Sequence, residues 1–319
     1  MYVIFTIDCE SPDDSIGFEE SVIASFQGKE YGVGLICDIL EEKGFYGSFF
    51  IDTGAEEIFG EDAVVGAVNY IAKRNHDVQL HIHPNGNEFC FLADNEKREM
   101  LKKGCEIIGK GSGESPKAFR AGSYMMDEKS IPILRDFGII ADCSNFLSVS
   151  PLSITKNRVK IVDGIYEIPV SFYRLILSPF ISFFNSVSKR NAFYGGNCKI
   201  DINWMNIHGL KRVCKKFLLA GNSLIVVFLH SFSFIKWEMI KNNAPLHSII
   251  REDVIERLKS FVNFLKNEKG VEVVTVKEFL NLISNSEEIS KKVLSAADYV
   301  PIDFWGIDGK QLVSSLFFR

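Results

Sequence analysis

The first apolar run of this chain, Tyr2-Val-Ile-Phe-Thr-Ile, ends in Asp8-Cys9-Glu10, and a later one, Asp77-Val-Gln-Leu, ends in His81-Ile-His83-Pro84. Side chains alternate faces along a strand, so residues two apart project to the same side. Asp8 with Glu10, and His81 with His83, are therefore two aligned pairs at the C-terminal ends of their strands. In barrels and doubly wound α/β proteins, active sites are built at those ends. Carboxylates and imidazoles together form a donor set for Zn²⁺, with Co²⁺, Ni²⁺ or Mn²⁺ as alternatives. A strand-end histidine is often only a polar residue leaving the core. Two such pairs in a chain with only six histidines point instead to a metal site.

Three more residues end apolar runs and can face the same centre: Arg120 in Phe119-Arg-Ala-Gly122-Ser-Tyr124, Asp142 in Ala141-Asp-Cys-Ser144, and His230 in Phe228-Leu-His-Ser231-Phe232. The plainer alternatives are a structural ion pair for Arg120, a turn residue for Asp142 and a hydrogen-bonded core histidine for His230. His76 in a turn, His208 in a helix and His247 in a polar loop carry less.

The elements that must position these residues alternate. Apolar patterning predicts strands over 2–7, 46–51, 78–83, 117–120, 139–142, 166–170, 223–229 and 272–276. Helices are predicted over 32–42, 62–74, 95–109, 128–137, 207–220, 252–266 and 277–283. A β-then-α order implies parallel strands with right-handed crossovers. Leu224-Ile-Val-Val-Phe-Leu229 is apolar throughout, as a strand covered on both faces should be. The expected fold is α/β, a distorted, incomplete (β/α) barrel of about seven parallel strands. The barrel spans 1–283 with an aromatic insertion near 172–197, and 284–319 forms an extension, too apolar for a disordered tail, that packs back on it.

Charge and composition narrow the partners. A net charge of −5 argues against nucleic acid, which wants a basic face. The seven cysteines are scattered singly without a CxxC, which fits a reducing compartment. The N-terminus shows no basic segment, apolar segment and cleavage site, and the longest apolar stretch, 175–184, is too short and interrupted to span a bilayer. A cytoplasmic location is expected.

Taken in order, these segments resemble a family. Thr6-Ile-Asp8-Cys-Glu10 followed by Gly44-Phe-Tyr-Gly-Ser-Phe-Phe50 looks like the opening of the polysaccharide deacetylases (the chitooligosaccharide deacetylase homology family). Asn75-His-Asp-Val-Gln-Leu-His81 is similar to its second motif, Phe119-Arg120-Ala-Gly-Ser-Tyr124 to its third, Asp142-Cys-Ser to its fourth and Leu229-His230-Ser to its fifth. The order holds from residue 2 to about 283. The resemblance implies a distorted barrel that binds a divalent metal and hydrolyses an N-acetyl group on a sugar. It implies Asp8 as general base, Glu10, His81 and His83 as metal ligands, Arg120 as the cation orienting the base, and His230 as general acid. Tyr124, Asp142 and Phe232 fall on the substrate side, where the aromatics could line a pocket for the acetyl methyl. Two departures stand out. The family's Asp-Asp-Gly is here Asp8-Cys9-Glu10, and its two histidines four apart are here His81 and His83, with Asn85 at the i+4 position.

The roles are chemically consistent. A bound cation polarises an amide carbonyl and acidifies water, a carboxylate takes the proton, and an imidazolium protonates the leaving amine. The expected partner is an acetylated sugar or glycan precursor, nucleotide- or lipid-linked. Two alternatives stay open: a metal-independent hydrolase of another C–N bond, of the allantoinase-like kind, and an inactive sugar-binding barrel. The insertion holds Phe and Tyr around Pro179 and ends in Lys189-Arg190, which suits either a cover over a barrel edge or a flap over the strand ends resting on a membrane surface through 172–194. Oligomeric state is not legible.

Overall fold

A computed structural model describes residues 1–12, 16–26, 28–146, 157–176, 197–238, 247–296 and 301–303. Its centre is a nine-stranded sheet. In chain order the strands are β1 (Tyr2–Cys9), β2 (Ser48–Asp52), β3 (Asp77–Ile82), β4 (Ala118–Ala121), β5 (Ala141–Asp142), β6 (Lys160–Val162), β7 (Ile165–Glu167), β8 (Leu224–His230) and β9 (Glu272–Val273). Their spatial order is β8-β1-β2-β3-β4-β5-β7-β6, with β9 beside the start of β1. Every neighbouring pair is parallel except the β6–β7 hairpin. The sheet curls without joining β6 to β8, an incomplete (β/α) barrel as expected from the sequence.

The crossovers are α1 (Val33–Glu41), α2 (Glu61–Ala72), α3 (Asp94–Ser112), α4 (Ile131–Asp136), α5 (Ile207–Leu219) and α6 (Glu252–Asn267). Along β1 the odd residues Val3, Phe5, Ile7 and Cys9 join the core beneath these helices. In α6 the apolar positions Val254, Ile255, Leu258, Phe261, Val262 and Leu265 recur at helical spacing and are all buried. Phe261 meets Phe5 edge to face, ring centroids 6.3 Å apart. Each such side chain contributes about 1.5–3 kcal/mol relative to exposure.

Ile4 projects the other way and packs inside the barrel with Phe50, Ala118, Leu224 and Val226. The N-terminal mouth is closed by α7 (Val276–Asn285), whose Val276, Phe279, Leu280 and Ile283 belong to the same cluster. A polar network fixes that plug. Thr275 caps α7 by accepting from Glu278 N, while Ser48 Oγ donates to Asp77 Oδ2 and accepts from Val276 N. Apolar side chains fill one end, which leaves the other for Asp8, Glu10, His81 and His230.

Differences from the patterning lie at element ends and in short elements. β1 and β8 run on to Cys9 and His230, one or two residues beyond the apolar run, because ladder hydrogen bonds continue through the polar residues. β3 stops at Ile82, leaving His83 just past the strand. The β6 hairpin partner was not anticipated. Nor was a three-stranded sheet of Phe172–Ile176, Asn197–Lys199 and Pro301–Asp303. The first two of these strands form the two ends of the aromatic insertion, and the third lies in the C-terminal extension, where α8 (Glu287–Leu294) also forms. Residues 177–196 and 304–319 lie outside the described residues, and with them Phe180, Phe183, Phe184 and the basic pair of the expected flap. No described helix is long and apolar enough to cross a membrane. The six described cysteines are all free thiols.

Candidate metal centre and active site

Register explains why distant residues meet. Asp8 pairs with His230 across β1–β8 and with Phe50 across β1–β2; Asp52 pairs with His81, and His81 with Arg120. The C-terminal ends of five adjacent strands are thus level, and their polar side chains share one mouth.

At its centre is Glu10. His83 Nε2 lies 2.8 Å and His81 Nε2 3.0 Å from Glu10 Oε2, and His230 Nε2 lies 3.2 Å from Oε1. Three imidazoles around one carboxylate hold Glu10 well below the ordinary range, outweighing the opposing effect of burial. For His83, burial disfavours the charged form, but the hydrogen bond and charge of Glu10 prevail and raise it to about 9. His81 Nδ1 lies 2.8 Å from the Arg120 carbonyl, which can only accept, so that nitrogen carries the proton. Nε2 faces the Glu10 carboxylate, where either a second proton or a bound cation would sit between the two, and one ligand atom from each of Glu10, His81 and His83 lies within 4.8 Å of the others. Carboxylate plus two imidazoles, one of them oriented by a backbone carbonyl, is a donor set that fits Zn²⁺ or a similar divalent cation once the rings give up their Nε2 protons to it.

Two glycines and one aspartate shape the position of His83. A Cβ at Gly122 would stand 2.4 Å from His83 Nδ1, and one at Gly54 2.4 Å from the His83 carbonyl oxygen. Asp52 accepts from the backbone nitrogens of His83 and Gly54, each at 3.0 Å. Asp52 escaped the sequence reading although it ends β2 much as Asp8 ends β1, which is the signal that could have found it. Gly122 gave no signal, because its requirement is the absence of a side chain beside a ring from another strand. Gly122→Ala is expected to push the His83 ring aside and weaken divalent-cation binding about 10- to 100-fold, the usual effect of disturbing a ligand's support. Competition against a chelating dye measures this, and an unchanged affinity would show that the ring yields freely.

Arg120 is completely buried and reaches across the barrel: Nη1 donates to Asp8 Oδ1 at 2.5 Å and Nε to the Cys143 carbonyl at 3.1 Å. Its guanidinium lies 4.2 Å over the Phe50 ring. Asp8, 4% exposed, is therefore held by a charge-assisted bond. His230 stacks on Phe232 at 4.7 Å and meets the Phe228 edge at 4.8 Å, which fixes its plane. Tyr124 packs 5.5 Å from Phe146 and 6.1 Å from Phe228. Asn85 is exposed and lines a neighbouring cleft of about 350 Å³ with Thr53, Gly54 and Pro84.

Asp142 is a correction. Expected on the substrate side, it is fully buried; it accepts from Ser144 N at 3.0 Å and Ser144 Oγ at 2.5 Å. It lies level with Glu167 on the next strand, since both end short strands whose side chains turn into the wall. Among the described residues neither Glu167 oxygen nor Asp142 Oδ2 has a donor within reach, and a proton shared between the two carboxyls would satisfy them. Burial first, and then the Asp142 charge, pushes Glu167 up to about 10, while burial brings Asp142 to about 6. A carboxyl whose folded pKa is raised binds more protons folded than unfolded between the two values. Stability therefore falls as pH rises from about 4.5 towards about 10. Glu167→Gln, neutral at every pH, is expected to flatten that fall and to be more stable than the wild type at pH 9. Urea midpoints at pH 6 and pH 9 read it, and equal slopes in both proteins would rule out the shared proton.

A second group with metal-ligand atoms close together, Cys37, Glu41 and His76, behaves differently. His76 Nδ1 accepts from Gly47 N at 3.0 Å, so Nε2–H donates to Glu41 at 2.9 Å, and both nitrogens are used. Arg74 already occupies Glu41, and burial pushes the Cys37 thiol up. This group is a closed structural network.

No family model and no curated protein matches the chain. Solved structures do. A candidate polysaccharide deacetylase from Mycobacterium smegmatis superposes with a TM-score of 0.57 at 16% identity, over 90% of this chain and 91% of that one. A 4-α-glucanotransferase from Thermococcus litoralis gives 0.56 at 14% identity, over 95% of this chain and 42% of that one. PuuE allantoinase gives 0.54 at 11%, over 89% and 90%. At such identities the likeness establishes the fold: this chain has the polysaccharide deacetylase fold, as the motif order implied. The same fold appears in the allantoinase and the glucanotransferase, so the reaction has to be argued from side chains.

Proposed function

We propose that the chain is a divalent-metal-dependent hydrolase that removes an N-acetyl group from a sugar. The observation that carries this reading is the convergence of His81, His83 and His230 on Glu10, with the Asp8–Arg120 pair at the adjoining strand end. An amide is a poor electrophile and water a poor nucleophile at neutral pH. A divalent cation held by Glu10, His81 and His83 would supply a Lewis acid for the carbonyl and for water. Asp8 then serves as general base: Arg120 fixes its carboxylate, and the water proton moves to it. His230, at the opposite side of Glu10 and held flat by Phe232, gives a proton to the amine as the C–N bond breaks. Acetate and the free amino sugar leave. The barrel's apolar plug keeps bulk water from the far end of the site.

Acetate release from N-acetylated chitooligosaccharides and from a nucleotide-linked N-acetyl sugar, each with and without chelator, tests the reading. Release that chelation abolishes is expected. Turnover of allantoin with none of acetylated sugars, or full activity after the metal is stripped and verified absent, would overturn it in favour of the ureide hydrolysis its fold relative suggests.

A further inference from the structure

Lys199, which no sequence pattern singled out, is buried beside the proposed site. It ends the strand Asn197–Lys199, and the next residues run along β8, where Asp201 bridges to Phe228 and Ile202 N donates to the Phe228 carbonyl at 3.1 Å. The Lys199 side chain is 11% exposed. Its Nζ stands 3.4 Å from the centroid of the Phe228 ring, 3.1 Å from Tyr124 Oη and 3.5 Å from Asp201 Oδ2. Asp201 is itself engaged with Asn203 N at 2.8 Å.

Burial lowers the Lys199 pKa, the Asp201 charge opposes this, and Nζ donates to Tyr124 Oη. The phenol oxygen accepts, which leaves its own O–H to donate elsewhere. Among the described residues that O–H has no acceptor. Tyr124 is also held in an unusual backbone state: Ser123 and Tyr124 have φ of 52° and 60°, two consecutive left-handed residues, neither of them glycine. Such strain gathers where a side chain has to be aimed. The Phe228 ring is the common wall, touching Tyr124, His230, Lys199 and the Arg120 guanidinium, which lies 5.6 Å from its centroid. Burial pushes the Tyr124 phenol well up; Asp8, Asp201 and Glu10 add to this and Arg120 opposes, so the hydroxyl keeps its proton.

We propose that Lys199 and Tyr124 form a donor dyad, in which Lys199 fixes the phenol so that its O–H reaches the acyl oxygen as negative charge develops on it. Tyr124 touches the substrate in this account, and Lys199 is a positioning residue that acts through it. The inference rests on the deacylation reading of the neighbouring Asp8, Glu10 and His230. A structural Lys199–Asp201 pair would account for burial, but not for the shorter contact to the phenol or the strained turn that brings the phenol there.

A double-mutant cycle tests it on the metal-loaded protein, with kcat and KM measured for Tyr124→Phe, Lys199→Met and the double variant. Tyr124→Phe is expected to lower kcat about 100-fold, the loss seen when one oxyanion donor is removed, with KM changed little. Lys199→Met should lower kcat about tenfold with Tyr124 present and have no further effect once Phe stands at 124. Equal losses in both backgrounds, or a fully active Tyr124→Phe, would overturn the dyad. If Lys199→Met melts early, Lys199→Arg in both backgrounds carries the same comparison. Acetate titrated into the same variants and followed by calorimetry gives a readout without turnover, with the same non-additivity expected in affinity. A wild type that binds acetate without deacetylating would sink the functional reading and leave the cycle to decide the dyad. A wild type that does neither would overturn both.

Discussion

Asp8→Asn is expected to lower kcat/KM by about 100- to 10,000-fold, the range general-base catalysis supplies. The substitution is close to isosteric. The Asn side-chain oxygen can still accept from Arg120 Nη1, so the barrel should fold with its strand ends in register. What disappears is the basic lone pair. Asp8 is not among the residues whose donor atoms cluster with Glu10, so cation content should match the wild type. Elemental analysis beside steady-state kinetics separates the two effects. A variant retaining more than a tenth of wild-type activity would remove Asp8 from the role of base.

Arg120→Leu should cost about 3–5 kcal/mol of stability, as breaking one side of a buried pair does. The Asp8 carboxylate would stay buried with its partner gone, the Cys143 carbonyl would lose a donor, and the guanidinium would no longer lie over Phe50. Much of that penalty belongs to the stranded charge. The double variant Asp8→Asn with Arg120→Leu should therefore be more stable than Arg120→Leu alone, with a coupling of about 0.5–3 kcal/mol. Urea denaturation of the four proteins of the cycle measures it. A double variant as unstable as the sum of the singles would mean that Arg120 supports the fold independently of Asp8.

Much of this arrangement was legible in the sequence because strand periodicity is simple. Asp8 and Glu10 share a face for the same reason that Val3, Phe5, Ile7 and Cys9 share the other, and no tertiary information is needed to see it. His230 was visible at the end of a run apolar enough to be covered on both sides. Side-chain reach across strands was harder to read. Arg120 was expected near Asp8, but that its guanidinium lies over Phe50 depends on register. Asp142 looked like Asp8, yet it ends a two-residue strand at the wall, level with Glu167, a residue no motif contained. Gly122 and Lys199 were illegible for opposite reasons. One acts by lacking a side chain, and the other comes from a short strand beside the insertion, where patterning shows only aromatic residues.

The central claim is that Glu10, His81 and His83 form one cation site. Elemental analysis of the purified protein after saturation with Zn²⁺ and gel filtration tests it most directly, comparing the wild type with Glu10→Gln and with His76→Gln from the closed network. The account predicts one ion per chain in the wild type and in His76→Gln, and none in Glu10→Gln. An ion retained by Glu10→Gln, lost from His76→Gln, or absent from the wild type would contradict it.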